Sequence, residues 1–184
     1  MPITVSIVED NEQLRTTLAR VINRAEGFRC VSHYGTAEAA LEGLPKDAPD
    51  VVLMDINLPG INGVECVQRL KQTAPKILVV MLTVYEDTEN IFAALAAGAA
   101  GYLLKRTKSA ELLEAIREVH RGGSPMTTHI ARKVTQSFHK AGPSQQPTEN
   151  LSEREQEVLD CLSQGFLYKE IAEKLGISYE TVHT

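Results

Sequence analysis

Five positions in the first 121 residues carry side chains that can do chemistry together: the adjacent acids Glu9 and Asp10, the lone Asp55, the hydroxyl of Thr83 and the ammonium of Lys105. Each has a plain structural explanation alone. Glu9-Asp10 suits the acidic first turn of a helix, Asp55 a solvated turn, Thr83 a strand-end cap and Lys105 the surface. Each, however, directly follows an apolar run, and parallel strands bring such run ends to one edge of a sheet. Three carboxylates in one pocket repel unless a cation sits among them. An oxygen-only, partly hydrated pocket without Cys or His suits Mg²⁺, which keeps several waters and takes few carboxylates. Beside such a cation an aspartate can act as a nucleophile and form an acyl phosphate. Lys105 would add a positive charge there, and Thr83 a hydroxyl for a phosphoryl oxygen.

The elements that must position these groups can be read from the same pattern. Ile3–Val8, Phe28–Tyr34, Val51–Met54, Lys76–Leu82 and Gly101–Leu104 are short, β-branched or apolar runs, as expected of strands buried on both faces. Between them lie helical spacings. Leu14, Leu18, Val21 and Ile22 follow an N-cap at Asp10 or Asn11, and Thr36–Leu44 is closed by Pro45. Gly63–Thr73, Asn90–Ala97 and Ser109–His120 complete the set. Strand and helix alternate five times, which predicts a doubly wound, five-stranded parallel sheet of flavodoxin-like type. Right-handed crossovers place every strand's C-terminal end, and so all five chemical positions, on one edge. The glycine- or serine-rich phosphate loop that would argue for a nucleotide cofactor is replaced by two acids.

Composition excludes other classes. The chain of 184 residues is 43% hydrophobic and 23% charged, and no apolar run approaches the roughly 18 residues of a membrane span. Met1-Pro2-Ile3-Thr4 has no basic flank or cleavage pattern, so no signal peptide is expected. Cys30, Cys66 and Cys161 fit neither a disulfide framework nor zinc spacing, and a cytoplasmic location is expected. Net charge is −3 over residues 1–121, +2 over 122–150 and −4 over 151–184. None of these segments is a basic nucleic-acid footprint.

Specific motifs in residues 1–121 resemble the receiver domain of bacterial two-component response regulators. They are Ser6-Ile7-Val8-Glu9-Asp10-Asn11, Val52-Leu53-Met54-Asp55 with Leu58-Pro59-Gly60, Met81-Leu82-Thr83, and Gly98 through Lys105. The resemblance implies roles for individual residues. Asp55 would be the phosphoacceptor and Asp10 a direct Mg²⁺ ligand, with Glu9 acting through water and the Asn57 backbone carbonyl as a further ligand. Thr83 and Tyr102 would form a switch pair in which the hydroxyl moves to the phosphoryl group and the ring turns inward behind it. Lys105 would contact the phosphoryl group. Arg106 stands where relatives often carry proline, which leaves the isomer of the 105–106 peptide open. Asn57 and Tyr85, flanking the pocket, are expected to tune acyl-phosphate lifetime.

Arg121-Gly122-Gly123-Ser124-Pro125 is read as the close of the first domain. Residues 122–150 read as a linker containing a short helix over about 126–138, with Ile130, Val134 and Phe138 on one face. A second unit, 151–184, opens on a capping box at Ser152 and Glu155. It continues through Lys169–Leu175 to Gly176-Ile177-Ser178, where Ser178 caps a further segment: an all-α helix-turn-helix fragment. Leu151 through Leu159, Lys169-Glu170-Ile171-Ala172 and Thr181-Val182 resemble the LuxR-type DNA-binding domain, making the whole chain similar to the NarL/FixJ subfamily. Ser178, Tyr179, Thr181, His183 and Thr184 would then fall in its recognition helix. The family pattern continues beyond Thr184, so a truncated chain that binds DNA poorly is expected.

The resemblance thus implies a transcription regulator, not an enzyme beyond its own phosphoryl transfer and dephosphorylation. It would be phosphorylated on Asp55 by a sensor histidine kinase or a small acyl phosphate. Phosphorylation would drive homodimerisation or release of the output domain, and the complete protein would bind promoter DNA. Two other readings stand beside it. One is an Mg²⁺-dependent phosphatase acting on external substrates, although Asn57 stands where such an enzyme needs a general acid. The other is a phosphorelay receiver whose helical tail contacts protein.

Overall fold

Continuous apolar runs bounded by polar turns form five strands in the computed structural model, which describes residues 1–140, 161 and 168–176. The first 120 residues run β1 (Ile3–Val8), α1 (Glu12–Arg24), β2 (Phe28–Tyr34), α2 (Ala37–Asp47) and β3 (Val51–Met54), then α3 (Gly63–Thr73), β4 (Leu78–Thr83), α4 (Thr88–Ala96), β5 (Gly101–Leu104) and α5 (Ser109–His120). All the pairings are parallel, and the strand order is β2-β1-β3-β4-β5. The chain reverses its direction of travel across the sheet between β1 and β3. Ligands of open α/β sheets bind outside the strand ends at such a switch point, and Glu9 and Asp55 stand there.

Although the strands read as unbroken apolar runs, their side chains divide between the two faces with a period of two. Val52, Met54, Val79, Met81, Tyr102 and Leu104 pack toward Leu44 of α2, Val67 and Leu70 of α3 and Ile91 of α4. Val51, Leu53, Val80, Leu82 and Leu103 face Leu18 and Ile22 of α1 and Leu112, Ile116 and Val119 of α5. The helices are therefore split three and two over the faces, as both-face burial of the strands requires.

Helix ends follow local chemistry. Asn11, not Asp10, caps α1, its side chain accepting from Leu14 N at 3.0 Å. Asn62 caps α3 in the same way. The cap of α4 is Asp87, two to three residues before the start expected at Asn90; its side chain accepts from Asn90 N at 2.9 Å. Pro45 does not close α2, which continues to Asp47. Proline removes one N–H donor, but Ala48 N still donates to Leu44 O at 2.9 Å, and the helix ends at Ala48 with a left-handed φ of 43°. Among the described residues there is no cis peptide bond, so the Lys105–Arg106 peptide is trans.

The segment after α5 departs most from the expectation. The first compact unit runs from Met1 to Lys140, past the boundary expected at residue 121. Its last helix, α6 (Thr128–Lys140), sits two residues later than the expected 126–138. Ile130 of α6 is completely buried and belongs to the same cluster as Ile91 and Tyr102. Tyr102 N donates to Pro125 O at 2.9 Å, and Met126 forms a parallel bridge with Tyr102. The residues read as a linker thus cover part of the free edge of β5, which would otherwise present unpaired backbone groups.

The second compact unit comprises residues 141–184. Its described residues include α7 (Tyr168–Leu175), matching the helix expected over 169–175, with Ile171 buried. Ser178, Tyr179, Thr181, His183 and Thr184 lie outside the described residues. Among the described residues no helix is long and apolar enough to cross a membrane.

Candidate functional site

Parallel pairing of β1 with β3 puts Glu9 and Asp55 side by side at the sheet's C-terminal edge. Asp55 N donates to Val8 O at 2.9 Å, so the backbone that carries Asp55 is tied to the residue before Glu9. Both side chains are nearly out of contact with solvent, at 2% for Glu9 and 3% for Asp55. Asp10 is exposed. One carboxylate oxygen from each of Glu9, Asp10 and Asp55 lies within 4.8 Å of the other two.

Lys105, at the end of β5, reaches across two strands into this cluster. Its Nζ is 2.7 Å from Glu9 Oε2 and 2.8 Å from Asp55 Oδ2. The backbone N–H of Lys105 donates to Thr83 O at 2.8 Å, so the same residue fixes the end of β4. Asp55 Oδ1 accepts from Ile56 N at 2.8 Å, leaving both carboxylate oxygens occupied. Two buried carboxylates would be costly without the lysine. Burial raises the Glu9 pKa, and the Lys105 hydrogen bond opposes it. For Lys105 burial acts downward, but hydrogen bonds to Asp55 and Glu9 outweigh it and its pKa is raised. The lysine is therefore held charged.

The donors fit a divalent cation with oxygen preference. All three are carboxylates, no Cys or His is among them, and through the exposed Asp10 the cluster would be open to a hydrated ion. Lys105 already neutralises part of the charge at Glu9 and Asp55, and a Mg²⁺ ion facing Asp10 would neutralise the rest.

The remaining residues singled out in the sequence are distributed around this centre. Thr83 is fully buried, and its Oγ1 accepts from Tyr85 N at 3.4 Å. Tyr102 is also fully buried, with its ring inside, and its hydroxyl donates to Tyr85 O at 3.1 Å. Burial pushes the Tyr102 phenol well above its ordinary value, and the charges of Asp87 and Asp55 add to this. Asn57 and Tyr85 are exposed and line one groove of about 560 Å³ with Asn62, Glu65 and Asn90.

Three contributors escaped the sequence reading. Arg15 Nη1 donates to Glu9 O at 2.6 Å and to Asp10 O at 3.1 Å, holding the acidic turn. Gly63 opens α3 directly behind Asp55: a Cβ there would lie 1.8 Å from the Asp55 carbonyl oxygen. Glu86 meets Arg106 from the loop after β5 and His129 and Lys133 from α6, as described below. The spacing of Asn11 and Arg15 by one helical turn is the only trace of the first in the sequence.

A doubly wound receiver sheet with this acidic edge and lysine defines the class. Residues 5–117 match the family described as response regulator receiver domain, and residues 149–184 match bacterial regulatory proteins of the luxR family. The chain belongs to the response regulators of two-component systems, with a receiver domain followed by a LuxR-type DNA-binding region. It is 32% identical over 182 residues to the response regulator UvrY of Escherichia coli K12, covering 99% of this chain and 84% of UvrY. It is 36% identical to the transcriptional regulatory protein UhpA of the same organism, over 98% of this chain and 86% of UhpA. Among solved structures, a LuxR-family two-component response regulator from Aurantimonas sp. SI85-9A1 superposes with a TM-score of 0.71 at 27% identity. That match covers 76% of this chain and 99% of the other. UvrY and UhpA are NarL/FixJ-family regulators, in agreement with the motif reading.

Proposed function

We propose that Asp55 is the phosphoacceptor of a Mg²⁺-dependent switch that regulates transcription through the LuxR-type region. The carrying observation is the buried Asp55 carboxylate, hydrogen-bonded to Lys105 at 2.8 Å and within reach of Glu9 and Asp10. Asp10, Asp55 and the Asn57 carbonyl would hold the cation, with Glu9 acting through water. When bound, Mg²⁺ supplies charge neutralisation on the attacking carboxylate and the phosphoryl oxygens.

The chain's own residues do the rest. An Asp55 oxygen forms the new O–P bond while the donor's bond to phosphorus breaks: P–N from a kinase phosphohistidine, or P–O from a small acyl phosphate. Lys105 shifts from the carboxylate to a phosphoryl oxygen, where its retained charge stabilises the developing negative charge. Thr83 donates its hydroxyl to another phosphoryl oxygen. This draws the backbone of Tyr85 with it, because Tyr85 N is bonded to that hydroxyl. Tyr102, bonded to the Tyr85 carbonyl, stays inward behind the shifted loop.

The protein acts on its own acyl phosphate and turns over no external substrate. A sensor histidine kinase supplies the phosphoryl group in the cytoplasm, and phosphorylation favours a homodimer; promoter DNA is the partner of the complete LuxR-type domain. Incubation with acetyl phosphate and Mg²⁺ tests this. The expected result is one phosphoryl group per chain, abolished by chelation, with the dimer fraction rising. Continuous release of phosphate from added phosphorylated metabolites, with no labelled protein, would replace this reading with the phosphatase. Asn57 and Tyr85 tune the lifetime of the acyl phosphate from the groove they share. Dephosphorylation rates unchanged in both Asn57→Ala and Tyr85→Ala remove that role.

A further inference from the structure

Residues 124–140 attach to the receiver at the same two places that carry its switch. At β5, Pro125 O accepts the Tyr102 N–H and Met126 bridges to Tyr102. The fully buried Ile130 and the partly buried Val134 then join the cluster that contains Tyr102, Ile91 and Ala94. At the β4–α4 loop, α6 meets Glu86. Lys133 Nζ donates to the Glu86 carbonyl, and His129 Nε2 lies 3.3 Å from Glu86 Oε2. Arg106, from the loop after β5, places Nη1 2.7 Å from Glu86 Oε1. Glu86 directly follows Tyr85, whose carbonyl holds the Tyr102 hydroxyl.

The two attachments differ in kind. Arg106 and His129 have side chains 70% and 53% exposed, so their contacts with Glu86 contribute little, and the Arg106 ion pair is screened by salt. Ile130, with none of its surface exposed, supplies the docking free energy through apolar burial. The polar contacts then fix where along the loop α6 settles. Tyr102 cannot leave the interior without breaking its bond to Tyr85 O and opening the cluster that Ile130 and Met126 complete.

We infer that α6 is a clamp on the switch: docked, it holds Tyr102 inward and bonded to the Tyr85 carbonyl, so that α6 docking and phosphorylation of Asp55 favour each other. This rests on the phosphorylation reading above, in which the phosphorylated state requires the ring inward, where it already lies in this structure. Coupling of two binding equilibria through a shared element is reciprocal, and effects of about 5- to 150-fold are usual. Phosphorylation therefore tightens α6 onto the receiver, and α6 runs directly into residue 141, the start of the second unit.

The test uses the full 184-residue chain with beryllium fluoride and Mg²⁺ as a stable phosphoryl mimic. Amide hydrogen exchange across Thr128–Ser137 is expected to slow when the mimic binds. Ile130→Ser is expected to weaken mimic binding about fivefold or more, at the low end of usual coupling. Lys133→Ala keeps the test open should Ile130→Ser fail to fold. Its α6 amides exchange faster without the mimic, and its mimic affinity falls by a smaller factor. Mimic binding that leaves α6 exchange unchanged, or speeds it, overturns the clamp alone. Unaltered mimic affinity in Lys133→Ala with faster α6 exchange does the same. No mimic binding to the wild-type chain, together with no labelling of Asp55, overturns the phosphorylation reading and the clamp with it.

Discussion

Replacing Gly63 by alanine tests how Asp55 is positioned. The new Cβ would fall 1.8 Å from the Asp55 carbonyl oxygen and 3.0 Å from Ile56 Cα. Close carbon–oxygen contacts run at about 3.3–3.6 Å, so the start of α3 and the end of β3 must separate by about 1.5 Å. Both sides of this contact are backbone, and Gly63 N also donates to Ile56 O at 2.9 Å. No flexible side chain can absorb the displacement, which places the cost at the upper end of overpacking, about 3 kcal/mol. With a urea slope of about 1–3 kcal/mol/M, the unfolding midpoint should fall by roughly 1–3 M. The same shift moves Asp55 away from Lys105, and misplacement of about 1 Å can cost on the order of 100-fold in rate. Urea unfolding and the initial rate of labelling by acetyl phosphate are measured together. Gly35→Ala is the control: its Cβ would meet the end of the Arg15 side chain no closer than 3.5 Å, an ordinary contact, and stability should stay within about 0.5 kcal/mol. A Gly63→Ala chain that unfolds at the wild-type urea concentration and is labelled at the wild-type rate would refute the argument that α3 sets the position of Asp55.

Lys105→Met leaves the buried Glu9 and Asp55 carboxylates without their cation, which should cost about 3–5 kcal/mol. Mg²⁺ should recover more stability in this variant than in the wild type, read as the rise in Tm with added Mg²⁺. The Lys105 pKa is raised on folding. Its stabilising contribution is therefore fully present below the unfolded value of about 10.4 and is lost as pH rises through the higher folded value. The wild-type minus variant difference in unfolding free energy should shrink in that alkaline window, and a difference independent of pH there contradicts the coupling. Asp50 gives the opposite sign. Burial raises its pKa, but the hydrogen bonds it accepts from Thr4 N at 2.8 Å and Thr4 Oγ1 at 2.6 Å prevail, and the value is lowered. Its contribution is present above about pH 3.9 and is lost as pH falls toward the folded value. Asp50→Asn should flatten acid unfolding in that range, and an unaltered acid limb would count against this tie between β1 and the start of β3.

The chemical edge was legible because each reactive side chain directly follows an apolar run, so that the sheet topology alone assembles it. Glu9, Asp55 and Lys105 needed only parallel order to meet, and Thr83 to share their edge. What the sequence concealed depends on backbone atoms or on distance. Nothing in Ser124-Pro125-Met126 signals that a carbonyl there would receive the Tyr102 N–H. The spacing of Ile130 and Val134 showed a helix but not its docking face, so a helix of the first unit was read as part of a linker. Gly63 read as an ordinary helix start, because its closeness to Asp55 O exists only after α3 packs. Pro45 was weighted as a terminator, yet loss of a single N–H in the last turn left the Leu44 carbonyl paired. Glu86 looked like one more polar loop residue until the loop after β5 brought Arg106 to it, and α6 brought His129 and Lys133.

The most direct test of the central claim locates the phosphoryl group. The full chain is treated with acetyl phosphate and Mg²⁺, and the labelled peptide is mapped by mass spectrometry, with lability to hydroxylamine marking an acyl phosphate. The account predicts a single hydroxylamine-labile group on Asp55, absent without Mg²⁺ and absent in Asp55→Asn. Label on another residue, or labelling of Asp55→Asn at the wild-type level, would contradict it.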